Sequence, residues 1–377
     1  MEILKLKLKK LSFLIICFSL IFEMSFAQKL NSDTTKNNFT LKNIIEKFDF
    51  YGSLRIHAIT NSNGYSTIQN GPSRLGFKGE TNISKSILLF AQLEVGVNMV
   101  DNNNKIIIKD DPGHAVGEEN NSISSRLGFV GIKTKYGNLS WGKQWAPYYD
   151  IGGFTDRLFL YGGDAQGTYP NGTDGGISGT GRAANAMQYR NKIGPIKLAL
   201  QVQNRQSIFN KTNNKKFADT YGASIIYETN LGLSIGAAFN KVRDGVIKPN
   251  INQPKKGDEA AIAGLLFQNS KLTIGSIYSV FSNHATDNLG NYFSGYGFEF
   301  TLIYIFNKKF SSDFGFIYQE PYGSNCGLYK INYYACGFCY SFGKFSMVYT
   351  ELLIDRSRQF DGSNMPNIIG VGAHFGF

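Results

Sequence analysis

Residues 367–377 read NIIGVGAHFGF, and the chain stops on Phe377. Counting back by twos, Phe377, Phe375, Ala373, Val371 and Ile369 are apolar, while Gly376, His374, Gly372 and Gly370 are small or polar. A period of two describes a strand with one apolar and one polar face. Chain ends usually fray into water, so an apolar terminal strand needs an apolar medium, which is either a protein core or a lipid bilayer.

The same alternation recurs upstream. Phe48, Phe50, Leu54, Ile56 and Ala58 share one face, opposite Arg55 and His57. Ile87, Leu89, Ala91, Leu93, Val95 and Val97 oppose Gln92, Glu94 and Gly96, and Tyr296, Phe298, Phe300, Leu302, Tyr304 and Phe306 oppose Gly297, Glu299 and Thr301. About sixteen such segments fit between Phe48 and Phe377. Some connections are short, such as residues 191–197 and 228–234, whereas residues 102–122 and 146–181 are long. Alternating strands with turns of two length classes predict an all-β transmembrane antiparallel β-barrel of about 16 strands, its terminal strand closing against the first. Closure leaves no unpaired edge in lipid. A secreted β-sandwich would bury its apolar faces against each other and would not need aromatic residues concentrated near strand ends.

The first residues, MEILKLKLKKLSFLIICFSLIFEMSFAQ, carry four lysines, an apolar run from Leu11 to Phe22 and Ser25-Phe26-Ala27. That layout predicts a secretory signal, because a membrane-anchoring helix needs about 20 apolar residues. The expected division is a cleaved signal at 1–27, a polar lead at 28–47 and the barrel at 48–377. Cleavage removes four lysines and two glutamates, so the net charge of +11 falls by 2 to +9. The basic residues are scattered without a helical stripe, which argues against nucleic acid as a partner. Cys326, Cys336 and Cys339 remain, without zinc-site spacing, so packing or one incidental disulfide is expected of them.

In a barrel, charged residues on the inward parity are the candidates for function. Within SRLGFKGETN (73–82), Leu75 and Phe77 take the lipid face and Arg74, Gly76, Lys78 and Glu80 the lumen. Arg126 of the second SRLGF is placed inward by the same count, opposite Leu127 and Phe129, and Arg55 joins by parity. The four histidines, His57, His114, His284 and His374, form no metal-spaced pair. A hydrolase would need a serine and a histidine within hydrogen-bonding reach and an orienting third group, and no G-x-S-x-G motif is present. The glycine-rich stretch at 171–181 lacks the Lys-Ser/Thr of a phosphate cradle.

Taken together, DFYGSLRIHA (49–58), SRLGFKGETNIS (73–84), SRLGFVGIKTKYG (125–137), GKQWAPYYDIGGFTDRLFLYGGD (142–164) and GRAANAMQYRN (181–191) resemble the trimeric general diffusion porins of Gram-negative outer membranes. The resemblance implies a homotrimer with an inward-folded third loop facing an arginine wall, passing small hydrophilic solutes without a cofactor. It also implies a surround of outer-membrane lipid and lipopolysaccharide, and a C-terminal Phe377 read by the barrel-assembly machinery. By motif the wall arginines are Arg74, Arg126 and Arg182, with Arg55 one lumen position from Ser53, where the family has a lysine. The loop acid is Asp156, flanked by Arg157; the family's second acid is replaced by Leu160, while Asp164 of YGGD is kept. One carboxylate fewer and one arginine more lead to an expectation of weak anion selectivity. Asp150, Asp164, Asp174, Glu118 and Glu119 leave open a roughly neutral constriction. The other readings are a substrate-selective anion channel and, from a different class, a barrel enzyme or adhesin.

Overall fold

The computed structural model describes residues 47–100, 122–170, 174–204, 219–243, 258–323, 326–343 and 345–377. The expected signal at 1–27 and the polar lead up to residue 46 lie outside the described residues, as do His114, Glu118 and Glu119.

In chain order the strands are β1 (Lys47–Asn61), β2 (Ser66–Asn70), β3 (Arg74–Ser84), β4 (Ile87–Val97), β5 (Ile123–Thr134), β6 (Gly137–Trp145), β7 (Arg182–Ile193), β8 (Ile196–Gln203) and β9 (Thr220–Glu228). They continue as β10 (Leu233–Val242), β11 (Glu259–Gln268), β12 (Leu272–Thr286), β13 (Tyr292–Ile305), β14 (Phe310–Pro321), β15 (Ile331–Ser341), β16 (Ser346–Asp355) and β17 (Ile368–Gly376). One helical turn, α1 (Tyr149–Gly152), interrupts the β6–β7 connection. Every neighbouring pair is antiparallel and β17 pairs with β1, so the sheet is closed. β2 and β3 lie end to end along β1, pairing with Ile56–Thr60 and Lys47–Ser53 respectively. The seventeen strands among the described residues therefore make a barrel of sixteen staves.

The terminal strand lies where its alternation placed it. Ile56 pairs with Ala373, Ala58 with Val371 and Thr60 with Ile369, and Val371 and Phe375 are each 56% exposed on the outer face. Gly52 N–H donates to Phe377 O (3.0 Å) and Phe377 N–H to Gly52 O (3.2 Å). The Phe377 ring lies over Gly52, where a Cβ would meet the ring at 2.3 Å, and its centroid is 5.4 Å from that of Phe50. Phe77 continues this outer cluster, 5.0 Å from Phe50 and 5.8 Å from Phe48. Each aromatic pair adds about 0.5–1.5 kcal/mol beyond burial.

Parity misleads on β5. A bulge opposite Glu94 places Leu127 across from Glu94 but Ser125 across from Val95. Two residues then answer one on the partner strand, which resets the alternation. Leu127 and Phe129, expected in lipid, pair with Glu94 and Gln92 on the lumen face, and Leu127 is 3% exposed. Val130 takes the outer position. Arg126 still reaches the lumen, because it occupies the bulge itself. The cysteines are unpaired: Cys336 lies on the exposed face of β15, Cys339 on the buried face, and Cys326 is buried in a connection.

Candidate functional site

The described residues of the β6–β7 connection, 146–170 and 174–181, fold into the lumen and lie against the far wall. The wall is shaped to receive them. At Gly275 of β12 a Cβ would sit 2.0 Å from Phe154 O, and at Gly297 of β13 it would sit 1.9 Å from Ala165 O. Any side chain at these two positions would displace the loop backbone. Ile151, Leu158 and Leu160 press in the same way on Gly236, Gly315 and Gly370. Tyr148, Ile151 and Phe154 enter one apolar cluster, and Leu158, Leu160 and Tyr161 a second.

Two buried wall carboxylates supply acceptors for the loop. Glu299 on β13 accepts from Thr155 Oγ1 (2.6 Å), Ala165 N–H (2.8 Å) and Gln166 Nε2 (3.0 Å). Glu351 on β16 accepts from Phe159 N–H (2.6 Å) and Leu160 N–H (2.7 Å), one at each oxygen. Tyr333 OH receives the Gly162 N–H (3.1 Å) and donates to Asp164 Oδ2 (2.6 Å). The return limb is held by amides: Asn240 Nδ2 donates to Ser178 O (2.7 Å) and Gln201 Nε2 to Gly179 O (2.9 Å). A loop drawn away from water must have its backbone groups satisfied in this way.

The opposite wall is cationic. Arg55 and Arg74 gather around Ser53: Arg74 pairs with Ser53 across the β1–β3 register, and Arg55 Nε donates to Ser53 Oγ (3.2 Å). Glu94 Oε1 accepts from Arg126 Nε at 2.9 Å, both side chains being 7% exposed, and Glu94 Oε2 accepts from Tyr51 OH (2.9 Å). The Lys78 ammonium stands 4.9 Å from the Tyr51 ring centre. Arg74 is close enough to act electrostatically on Glu94 and, across the lumen, on Tyr149 of the loop.

On the loop, Asp156 Oδ2 accepts from Tyr149 OH (2.8 Å) and Tyr169 OH (3.0 Å). Burial, followed by the Asp156 charge, pushes the Tyr149 phenol well up, so it stays protonated and donating. Burial draws the Arg157 guanidinium down from its ordinary value, but arginine keeps its charge at any working pH.

The residues expected at the constriction are thus distributed. Arg55, Arg74 and Arg126 share one wall with Glu94. Arg182 stands apart, 3.6 Å from Asp174 and over the Trp145 ring, with Lys143 2.6 Å from the same carboxylate. Arg157 turns toward the short-turn end, donating to Phe154 O (3.0 Å). Asp164 is bonded to Tyr333 on the far wall, and Leu160 is fully buried against Gly370 rather than lining the lumen.

Arg190 was not singled out from the sequence. Its guanidinium bonds both oxygens of Asp150 on the loop (2.9 and 2.8 Å) and Trp145 O (2.9 Å). The signal was available, since Gln188, Arg190 and Lys192 alternate with Met187, Tyr189 and Asn191. A serine and a histidine do meet: Ser53 Oγ and His374 Nε2 are 2.9 Å apart. Among the described residues no carboxylate bonds the other imidazole nitrogen of His374, and Arg55 already donates to the Ser53 oxygen. His57, also in the lumen, is bonded to Tyr349 OH (2.5 Å).

The family model described as Gram-negative porin matches residues 45–377. Outer membrane protein F of Serratia marcescens is 27% identical over 369 residues, spanning 88% of this chain and 92% of the relative. Among solved structures, OmpF of Salmonella typhi in complex with daunomycin superposes with a TM-score of 0.70 at 20% identity, over 88% of this chain and 97% of the other. An anion-selective porin from Comamonas acidovorans superposes with a TM-score of 0.63 at 12% identity, over 88% and 99% of the two chains.

Proposed function

The chain belongs to the Gram-negative porins, channels for passive diffusion of small hydrophilic solutes across the outer membrane, and we propose that within that activity it leans weakly toward anions and works as a homotrimer. The observation that carries the selectivity is the division of charge across the lumen. Arg55, Arg74, Lys78 and Arg126 lie along one wall, where Glu94 is bonded to Arg126 and Tyr51. Across the lumen, Glu299, Glu351 and Asp164 accept hydrogen bonds that hold the loop. These acceptors are turned into loop backbone and buried hydroxyls rather than toward passing ions, leaving Asp156 as the loop acid nearest the cationic wall in this reading. Rings of cationic side chains favour anions in a pore.

Ser53 and His374 belong to this wall's hydrogen bonding in the same reading, and catalysis is not required of them. The anion-selective porin from Comamonas acidovorans shares the fold. Phe377 locked onto Gly52 is also the feature we assign to recognition by the assembly machinery.

The test is a reversal potential in a planar bilayer under a KCl gradient. The expected sign favours chloride, and Arg74→Glu should move it toward potassium while leaving the step size within the range of the parent channel. A cation-favouring parent would overturn the proposed selectivity; absence of conductance would overturn the channel itself. Steps that close in threes support the trimer.

A further inference from the structure

Below the loop, at the end of the barrel carrying the short turns, lies a lumenal basin of about 850 Å³. Short turns face the periplasm in bacterial barrels. Six cations line it: Lys133, Lys135, Arg157, Arg190, Lys192 and Lys197. Two carboxylates face them. Asp150 is held by Arg190 at 2.8 Å, and Glu228 takes Lys192 at 3.0 Å and Lys197 at 2.5 Å. Lys133 and Lys135 make no ion pair with a carboxylate among the described residues, and Arg157 donates only to a backbone carbonyl. Phe154, Ile226, Leu198 and Leu266 form an apolar flank of the same basin.

We propose that this basin is a binding subsite for small anions carrying two or more negative charges on phosphate groups, placed on the periplasmic side of the constriction. The inference deepens the anion-leaning reading and rests on it. Guanidinium groups match phosphate oxygens two at a time, and lysines add point charges. A cluster of one sign in a low-dielectric cleft raises the local concentration of counter-ions and their capture rate. The two lysines on Glu228 are half-exposed, and exposed ion pairs are weak, so a phosphate can draw Lys192 and Lys197 away from Glu228 without a large loss. Arg157 comes from the loop and Lys133, Lys192 and Lys197 from the wall, while Arg190 is already held by Gln188, Asp150 and Trp145 O. A bound solute would therefore touch both sides of the opening it has just passed.

Two readouts test this on the full-length trimer, with pyrophosphate and ATP as probes. In a bilayer with channels inserted in one orientation, either probe should interrupt the KCl current more often from the short-turn side than from the loop side. In detergent, Trp145 lines the basin while Trp141 faces outward, so saturable quenching of tryptophan emission by ATP should accompany the block. Replacing Lys133, Lys192 and Lys197 together by glutamine should weaken both effects by about tenfold or more, whereas Lys85→Gln, on a different short turn, should change neither. Because these lysines lie at turn ends, the variant is expected to fold; the pair Lys192→Gln and Lys197→Gln alone should give a smaller weakening in the same direction. Equal block from both sides together with unquenched tryptophan, in a channel that conducts KCl, would overturn the subsite while leaving the porin reading standing. A channel that conducts no KCl but still shows saturable quenching lost in the triple variant would support the subsite and sink the conducting role.

Discussion

The lumenal face of β1 to β5 carries Arg55, Arg74, Lys78 and Arg126, whereas the same face of β12 to β17 carries Gly275, Gly297, Glu299, Gly315, Glu351 and Gly370. Both belong to one closed sheet, whose alternation is reset on β5 by its bulge. The first wall leaves charge facing the lumen, where it acts on ions; the second uses absent side chains and buried carboxylates to seat a loop. A lumenal carboxylate therefore has two meanings. Glu94 modulates the charged wall, while Glu299 and Glu351 are structural acceptors, because loop donors have replaced the water around them.

The glycines offer the strongest way to break this contrast. Gly297→Val combined with Gly275→Val places new atoms where Ala165 O and Phe154 O now lie. The far wall can relieve those clashes only by pushing the loop toward the cationic wall, since overpacking costs about 1–3 kcal/mol per site even after relaxation. The expected outcome is a lower melting temperature and a clearly smaller single-channel conductance. The equivalent change on the charged wall, at a lumen-facing residue that touches no loop, should alter neither as strongly. Conductance and stability equal to the parent would show that the loop does not lean on these positions.

Next in size is the loss of an anchor. Glu351→Ala leaves the Phe159 and Leu160 N–H groups buried without acceptors, and each such group costs about 1–3 kcal/mol. Thermal unfolding should fall accordingly, and current traces should become noisier as the loop detaches locally. Leu160→Glu sharpens the same point from the loop side. By the family pattern it restores an acid to the constriction, yet the side chain sits against Gly370 among apolar neighbours. The expected result is destabilisation with no gain in cation preference; a clean shift toward potassium would show that residue 160 faces the pore after all.

Leu160 also marks the limit of what the sequence makes legible. Alternation located the barrel, its closure through β17 and the inward arginines of β1 and β3, because a period of two is set by backbone geometry alone. It misplaced Leu127 and Phe129, since a bulge leaves no compositional trace in SRLGFVG and resets the count from within. The glycines of the far wall lie at readable lumen positions, but their purpose depends on a loop more than 100 residues away in the chain. Which carboxylates face water and which face the loop is likewise decided by that long-range contact. Arg190 alternates as openly as Arg55 and was obscured only by the arginine of GRAAN nearby.

The smallest expected effect separates net charge from paired charge on the cationic wall. Arg126 and Glu94 form a nearly buried pair at 2.9 Å, so from the lumen they amount to a dipole. Removing both charges with Glu94→Gln and Arg126→Met keeps an acceptor for Tyr51 OH and keeps the net charge of the wall. Replacing a buried ion pair by neutral groups of similar volume is often close to neutral for stability. The reversal potential should therefore move less in the double variant than in Arg74→Gln, which removes one charge outright. Arg126→Met alone is the necessary third arm, because it uncovers Glu94 and should shift the potential toward potassium. If the double variant shifts as far as that single one, the pair is acting as separate charges, and the wall's preference for anions would have to be carried by Arg126 itself rather than by Arg55 and Arg74.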